Sequence, residues 1–229
     1  MSPAPFAVTD RTAFHRVPAR GSYDRAVAYS ILDEGLVCHV GIAPGGQPFV
    51  IPTTYARDGD RIVIHGSPAS RLIRSLKGGV DVCVTVTLLD GLVLARSAFH
   101  HSMNYRSVVV LGRADPVLDP EAKRRALDLI VEHVVPGRTG DTRPPSEHEL
   151  RSTLVLSLPL EEASVKVRTG PPIDDEADLG SSAWGGVIPL TLVPGPPEAD
   201  ELVPTGIGAP TYALDYRRPP AVTSPTPSR

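Results

Sequence analysis

"QPFVIPTTYARDGDRIVIHGSPASR", residues 47–71, holds two β-branched, apolar runs separated by Asp58-Gly59, and then turns abruptly to small and hydroxylated residues. An Asp-Gly pair between two such runs predicts a tight hairpin, because these residues tolerate the backbone that a two-residue turn requires. The second run ends at Gly66. Ser67 is placed to cap a following helix with Pro68 at its first position, and 69–76 reads as that short helix. This corner has two readings. It is either an ordinary capped turn with a solvated arginine, or a cradle for a phosphate. In the second case Gly66 lets the backbone approach closely, helix-start N–H groups attract the anion, and Ser70 and Arg71 add a hydroxyl and a cationic fork.

The surrounding chain is also strand-rich. "LVCHVGIA" (36–43), "VDVCVTVTLLDG" (80–91) and "NYRSVVVLGRADPV" (104–117) are β-like, and "STLVLSLPLEEASVKVRTG" (152–170) gives two strands broken near Pro159. Val27 and Ile31, four apart, suit a short helix over 23–32 that ends at Gly35. Asp119-Pro120 starts another, with Leu127, Ile130, Val131 and Val134 on one face and Pro136-Gly137 as its stop. Six or more short strands with inserted helices predict a mainly β protein, a β-barrel rather than a doubly wound sheet. No Gly-x-Gly-x-x-Gly stands at a strand-to-helix turn, which argues against a dinucleotide-binding Rossmann domain. The expected organisation is a loose N-terminal segment (1–20), one domain (21–192) and an irregular Pro/Gly-rich tail (193–229) lying on the surface through Tyr212, Leu214 and Tyr216.

A formal net charge of -3 over 229 residues offers no basic surplus for nucleic acid or an anionic membrane. Apolar runs such as 108–111 are far too short to cross a bilayer. No secretion pattern opens the chain, and Cys38 and Cys83 sit inside strand-like runs as expected free thiols, so the expected location is the cytoplasm.

Three more stretches crowd polar groups. In "FHHSMNYRSVVVLGRA" (99–114), His100, His101, Ser102, Asn104, Tyr105, Arg106 and Ser107 gather at the entrance to an apolar strand. Neighbouring residues on a strand face opposite ways, and no Cys-x-x-Cys, His-Glu-x-x-His or Gly-x-Ser-x-Gly is present, so neither a metal site nor a serine hydrolase is expected. In "SAWGGVIPL" (181–190), Trp184 precedes two glycines, as barrel closure or as a ligand platform. In "SVKVRTGPP" (164–172), Lys166 and Arg168 share a strand face, to meet an anion or plain solvent.

Taken in order, "PFVIPTTYARDGDRIVIHGSPASR", "NYRSVVVLGRA" and "WGGVIPL" resemble the pyridoxamine 5'-phosphate oxidase-like, FMN-binding split-barrel family, in its nitroimidazole-resistance-like branch. The resemblance implies a homodimer with FMN at the subunit interface. It implies that the strand with Pro52, Thr53, Thr54 and Tyr55 lines the flavin, largely through its backbone. It assigns His65, Gly66, Ser67, Ser70 and Arg71 to the ribityl and phosphate groups, and Asn104, Tyr105, Arg106, Ser107 and Trp184 to the flavin's surroundings, with Lys166 and Arg168 as further candidates. The Arg-Leu-His-Asp-Arg type segment that handles vitamin B6 in that family is absent after Trp184: no His follows, and no Arg until Arg217. The expectation is therefore an oxidoreductase that uses hydride transfer at flavin N5 on another small molecule. NADH or NADPH is a candidate donor, and His65 and Tyr105, with His101, are the protonatable groups to test. The alternatives are a flavin storage or sensing module, a split barrel using deazaflavin or haem, and a cofactor-free scaffold.

Overall fold

The structure, a computed structural model, describes residues 4–77 and 80–217. Ten strands run β1 Gly21–Ser22, β2 Val37–Ile42, β3 Phe49–Asp58, β4 Arg61–Gly66, β5 Asp81–Leu94, β6 Ser102–Arg113, β7 Asp115–Pro116, β8 Leu154–Pro159, β9 Glu162–Arg168 and β10 Gly186–Pro189. The α-helices are α1 Arg25–Glu34, α2 Arg71–Lys77, α3 Pro120–Val134, α4 Glu147–Ser152 and α5 Thr211–Leu214. All pairings are antiparallel, in the order β1-β9-β6-β5-β2-β3-β4-β8-β7, and β10 joins β5 beyond the point where β2 stops. The barrel-like, mainly β architecture expected from the sequence is what forms.

The predicted hairpin is present: Asp58 pairs with Arg61, and Gly59 takes the left-handed backbone (φ 56°) that the turn needs. Its first strand is divided between two neighbours. Residues 49–54 of β3 pair with β2, whereas 55–58 pair with β4. From there β4 leaves β3 and pairs along its whole length with β8. The two sheets diverge at Tyr55, and the space between them is filled from both sides. Val40, Val84 and Val108 face Ile62, Leu156 and Leu158 in one buried cluster, closed by Ile31 and Leu32 of α1 and by Ile73 and Leu76 of α2. The alternate residues Ala56, Val63 and Val155 face the other way and pack against Ala126 and Ile130 of α3. Asp119 caps that helix by accepting from the Ala122 N–H, as its sequence predicts.

Tyr55 is fully buried at the divergence. Its hydroxyl donates to the Leu32 carbonyl (2.7 Å), one of the oxygens left over in the last turn of α1. Next to it, Gly35 has no room for a side chain, since a Cβ there would lie 2.5 Å from Val86 Cγ1 and 2.8 Å from the Tyr55 oxygen. The Gly35 carbonyl meets His133 Nε2 from α3 at 2.7 Å. Cys38 is buried and Cys83 half-buried, both as free thiols, and burial pushes the Cys38 thiol up to about 12.

Three expectations are corrected. Of the N-terminal segment, the described residues 4–20 are docked, not loose: Phe6 and Thr12 are buried, the Phe6 N–H bonds to the Tyr23 carbonyl (2.8 Å), and Arg11 pairs with Glu162. Phe6 in the core, the Arg11–Glu162 pair and the Phe14–Tyr23 ring contact hold it, and all of these are long-range or tertiary contacts that composition does not show. The helix after Gly66 begins at Arg71 and its cap is Ser70, whose hydroxyl accepts from the Ile73 N–H (3.2 Å). Ser67 closes a separate turn ahead of it. Of the tail, Tyr212 accepts from Arg138 and Tyr216 donates to the Val134 carbonyl, while Leu214 stays exposed; residues beyond 217 lie outside the described residues. No described helix is long and apolar enough to cross a membrane.

Removing the Tyr55 hydroxyl strands the Leu32 carbonyl in an apolar environment. Tyr55→Phe should lower the unfolding free energy by about 1–3 kcal/mol, read as a shift of the urea midpoint with an unchanged slope.

Candidate functional site

Where β4 departs, β3 is left half-paired. Among the described residues no strand covers the edge of residues 49–54 opposite β2, so backbone donors and acceptors there remain available beside exposed Pro52 and Thr54 and half-buried Thr53. At the near end of this edge, the Arg71 guanidinium lies 4.4 Å from the centre of the Phe49 ring. Arg71 is exposed, and among the described residues no carboxylate pairs with it. The Ser67 and Ser70 hydroxyls accept the Ala69 and Ile73 N–H groups and keep their own protons to donate. Gly66 serves packing: a Cβ would lie 3.0 Å from Ile73 Cγ1, so the glycine lets β4 run close under α2.

His65 does not join this corner. On β4 it follows Val63 by two, so its ring takes the α3 side of the sheet. There it lines a cavity of about 550 Å³ together with Leu127, Ile130 and Val131 of α3 and the segment 139–145. Its Nδ1 is sealed from solvent and has no hydrogen-bond partner, and burial lowers its pKa. At the same cavity, Arg143 grips Glu149 with both nitrogens (2.6 and 2.8 Å), and Arg143, with the Ser146 cap, holds the Glu149 carboxyl well below the usual range.

The polar group at the entrance to β6 is consumed internally. Arg106 is clamped between Glu34 of α1 (2.9 Å from Nη2) and Asp90 (2.7 and 2.9 Å), which a bulge between Leu89 and Gly91 turns toward it. These two carboxylates raise the Arg106 pKa further. Arg168, only 5% exposed, donates to Asn104 Oδ1 and to the Gly170 and Pro171 carbonyls (3.1 and 3.0 Å), and its Nε has no partner. Desolvation, and then repulsion by Arg20, lower its pKa. The Arg106 and Arg168 guanidiniums are thus engaged within the fold, not presented at an open site. The Ser107 hydroxyl donates to the Lys166 carbonyl, Lys166 lies over the Phe14 ring (5.9 Å), and Tyr105 sits opposite Leu89 and Arg168. Of the protonatable candidates, His65 lines this cavity and Tyr105 and His101 do not. Tyr55, likewise, turns its side chain into the core and can offer a ligand only its backbone. Trp184 is 65% exposed and lies across Gly186, where a Cβ would meet its ring at 2.5 Å; Gly185 makes room for Arg96 in the same way. His100 belongs to a 3-10 turn and bonds to Asp175 (3.1 Å), with Asp178 close by, on an exposed loop.

This geometry matches a known family. Residues 24–167 fit the family model described as pyridoxamine 5'-phosphate oxidase. The chain belongs to this family. Among solved structures, the Azotobacter vinelandii flavocytochrome Anf3 is 43% identical, with 93% of this chain and 99% of that one covered at a TM-score of 0.87. A FAD and haem binding protein from Mycobacterium smegmatis is 35% identical (84% and 95% covered, TM-score 0.81). A candidate 5-nitroimidazole antibiotic resistance protein from Bacteroides thetaiotaomicron is 28% identical (64% and 86% covered, TM-score 0.55). No curated protein sequence matches this one. In this member of the pyridoxamine 5'-phosphate oxidase family, Glu34 and Asp90 are the carboxylates that hold Arg106, and the sequence motifs do not point to them. Asp90-Gly91 inside a strand run was the available clue, since such a pair marks a bulge. The cavity beside His65 has no local sequence signal, although the apolar stripe of α3 at Leu127, Ile130 and Val131 that walls it does.

Two outcomes follow. Arg106→Met would leave Glu34 and Asp90 without their shared cation, at a cost of about 2–3 kcal/mol because the group is only partly shielded, measured by chemical denaturation. His65 binds its proton less readily folded than unfolded. Its contribution is therefore absent above the ordinary imidazole value of about 6.5 and turns destabilising below it, as the unfolded chain takes up a proton first. Thermal melts from pH 7.5 to 5 should fall more steeply for the wild type than for His65→Gln.

Proposed function

We propose that this protein is a dimeric flavin-dependent oxidoreductase that carries FAD along the open edge of β3 and haem as a second redox group. The observation that bears most weight is that edge: a run of unpaired backbone ending at Arg71, an arginine without a carboxylate partner among the described residues. The donor set fits a flavin. Backbone groups of residues 49–54 suit the edge of a planar heterocycle, and Arg71 with the Ser67 and Ser70 hydroxyls suits a phosphate. The family resemblance implies FMN. The likeness to a FAD and haem binding protein at 35% identity supports the dinucleotide instead, and together with the flavocytochrome it supports haem as an addition rather than a replacement.

A bound flavin supplies hydride or single-electron transfer at its ring. The chain's own part is to hold and to shield. Arg71 and the two serines fix the phosphate end, β3 fixes the ring, and exposed Pro52 and Thr54 border the substrate's approach. The lack of a basic segment between Trp184 and Arg217 argues for a small molecule other than a B6 vitamer. Dimerisation is supported by an exposed apolar row in which Ile188 of β10, Leu92 of β5 and Met103 of β6 stand side by side in register, with Phe99 (89% exposed) and Trp184 nearby in sequence. An exposed apolar row of this kind is the surface that a second copy would bury.

Purified protein should be yellow, and heat should release FAD with the corresponding mass; release of FMN would return the reading to the mononucleotide, and a colourless protein that takes up neither would end it. Arg71→Gln should weaken flavin binding at least tenfold by fluorescence titration while leaving the melting temperature within a few degrees. Light scattering should give twice the chain mass, reduced to one by Leu92→Glu. Turnover of NADH or NADPH with an added acceptor separates an enzyme from a storage module.

A further inference from the structure

We propose that the cavity between β4 and α3 binds an amine cation with an apolar body, its ammonium group held by Asp128; neither the flavin nor the haem reading is needed for this. The chamber has a constructed outer wall. That wall, residues 137–145, contains no strand, yet side chains fix it at successive points. Glu132 accepts from the Gly137 and Thr139 N–H groups (2.6 and 2.8 Å) and from the Thr139 hydroxyl. The Thr142 hydroxyl donates to the Arg138 carbonyl (3.3 Å), and Arg143 closes on Glu149. Tyr212 of α5 accepts from Arg138 (2.7 Å), so the tail braces the same wall.

The same bonds decide what the cavity can recognise. They engage Thr139, Thr142, Arg143 and Glu149, and the last two cancel in charge. Asp128 is left over. It is half-buried on α3 and lines the cavity. Arg124, one turn back on the helix and its natural partner, lies instead on Glu121 and Glu147 (3.9 and 3.2 Å). Among the described residues no cation lies within ion-pair distance of Asp128. Burial keeps the His65 ring neutral, so β4 brings no positive charge either. The rest of the lining is largely apolar: Leu127, Ile130 and Val131 stand at i, i+3 and i+4 on α3, joined by Pro144 and Pro145 of the wall. About 550 Å³ lies inside the usual range for small-molecule sites, about 300–1,000 Å³. One uncompensated carboxylate in such surroundings holds an ammonium group by a charge-assisted hydrogen bond and repels carboxylates and phosphates. An aryl- or alkylamine meets both the charged and the apolar requirement.

The test measures binding of phenethylamine to the purified protein by calorimetry, beside two molecules of similar shape, neutral phenethyl alcohol and anionic hydrocinnamate. The wild type should bind one phenethylamine per chain, at least about tenfold more tightly than either, which is the least that a charge-assisted hydrogen bond contributes. Asp128→Asn should remove that preference with its melting temperature and flavin content unchanged. Val131→Trp keeps the carboxylate but fills the space, and should weaken the amine on its own. Arg71→Gln, at the β3 edge, should bind the amine as the wild type does. Equal affinity for the three molecules, or full amine binding by both Asp128→Asn and Val131→Trp, would overturn the assignment. So would a wild type with no saturable amine binding. Loss of the amine from Arg71→Gln but not from Asp128→Asn would place it at the flavin edge and overturn the assignment while leaving the flavin reading intact.

Discussion

One constraint organises this molecule: a single strand, β3, must serve two sheets that lie on opposite sides of one core. The hydrophobic filling demands that the sheets diverge, and the divergence takes β4 away from β3 after four residues. Tyr55 stands at that point and joins both halves to the end of α1 through one hydroxyl, in a place so tight that Gly35 tolerates no side chain. Burial of the core and exposure of a strand edge are therefore one event. The edge is open because the barrel is split there, and a split barrel with a filled centre cannot close it.

The arginines show how the same side chain is used in opposite ways. Arg106 is locked by two carboxylates and binds α1 to the β5–β6 pair. Arg168 is deep, has no carboxylate, and lives on carbonyl oxygens and an asparagine. Both hold the barrel together at the price of being unavailable. Arg71 makes neither kind of bond and leans on an aromatic face instead. What marks a cation as a binding group is the partners it lacks, and those can be counted only once the chain is folded.

That explains where sequence reading succeeded and where it failed. The hairpin at Asp58-Gly59, the cap at Asp119 and the two-residue alternation along β4 and β8 are local rules, and each formed as the residues dictate. The order of motifs was enough for the family. The failures are long-range. Glu34 and Asp90 are 72 and 16 residues from Arg106 in the chain. The side of the sheet that His65 occupies depends on where α3 docks. A stretch of mixed composition at the amino terminus is docked through Phe6 in the core and Arg11 on Glu162, 151 residues away in the chain. Spacing shows which residues share a face, but not what that face will meet.

The acidity of Cys38 has a bearing on life beside electron carriers. It pairs with Thr53 across β2 and β3, directly behind the open strand edge. With its ionisation displaced to about 12, on the order of one molecule in a hundred thousand would carry a sulfur anion at neutral pH. Peroxide and other partly reduced oxygen species attack that anion, not the neutral thiol. The sulfur behind this strand edge is thus held in its less reactive, protonated form.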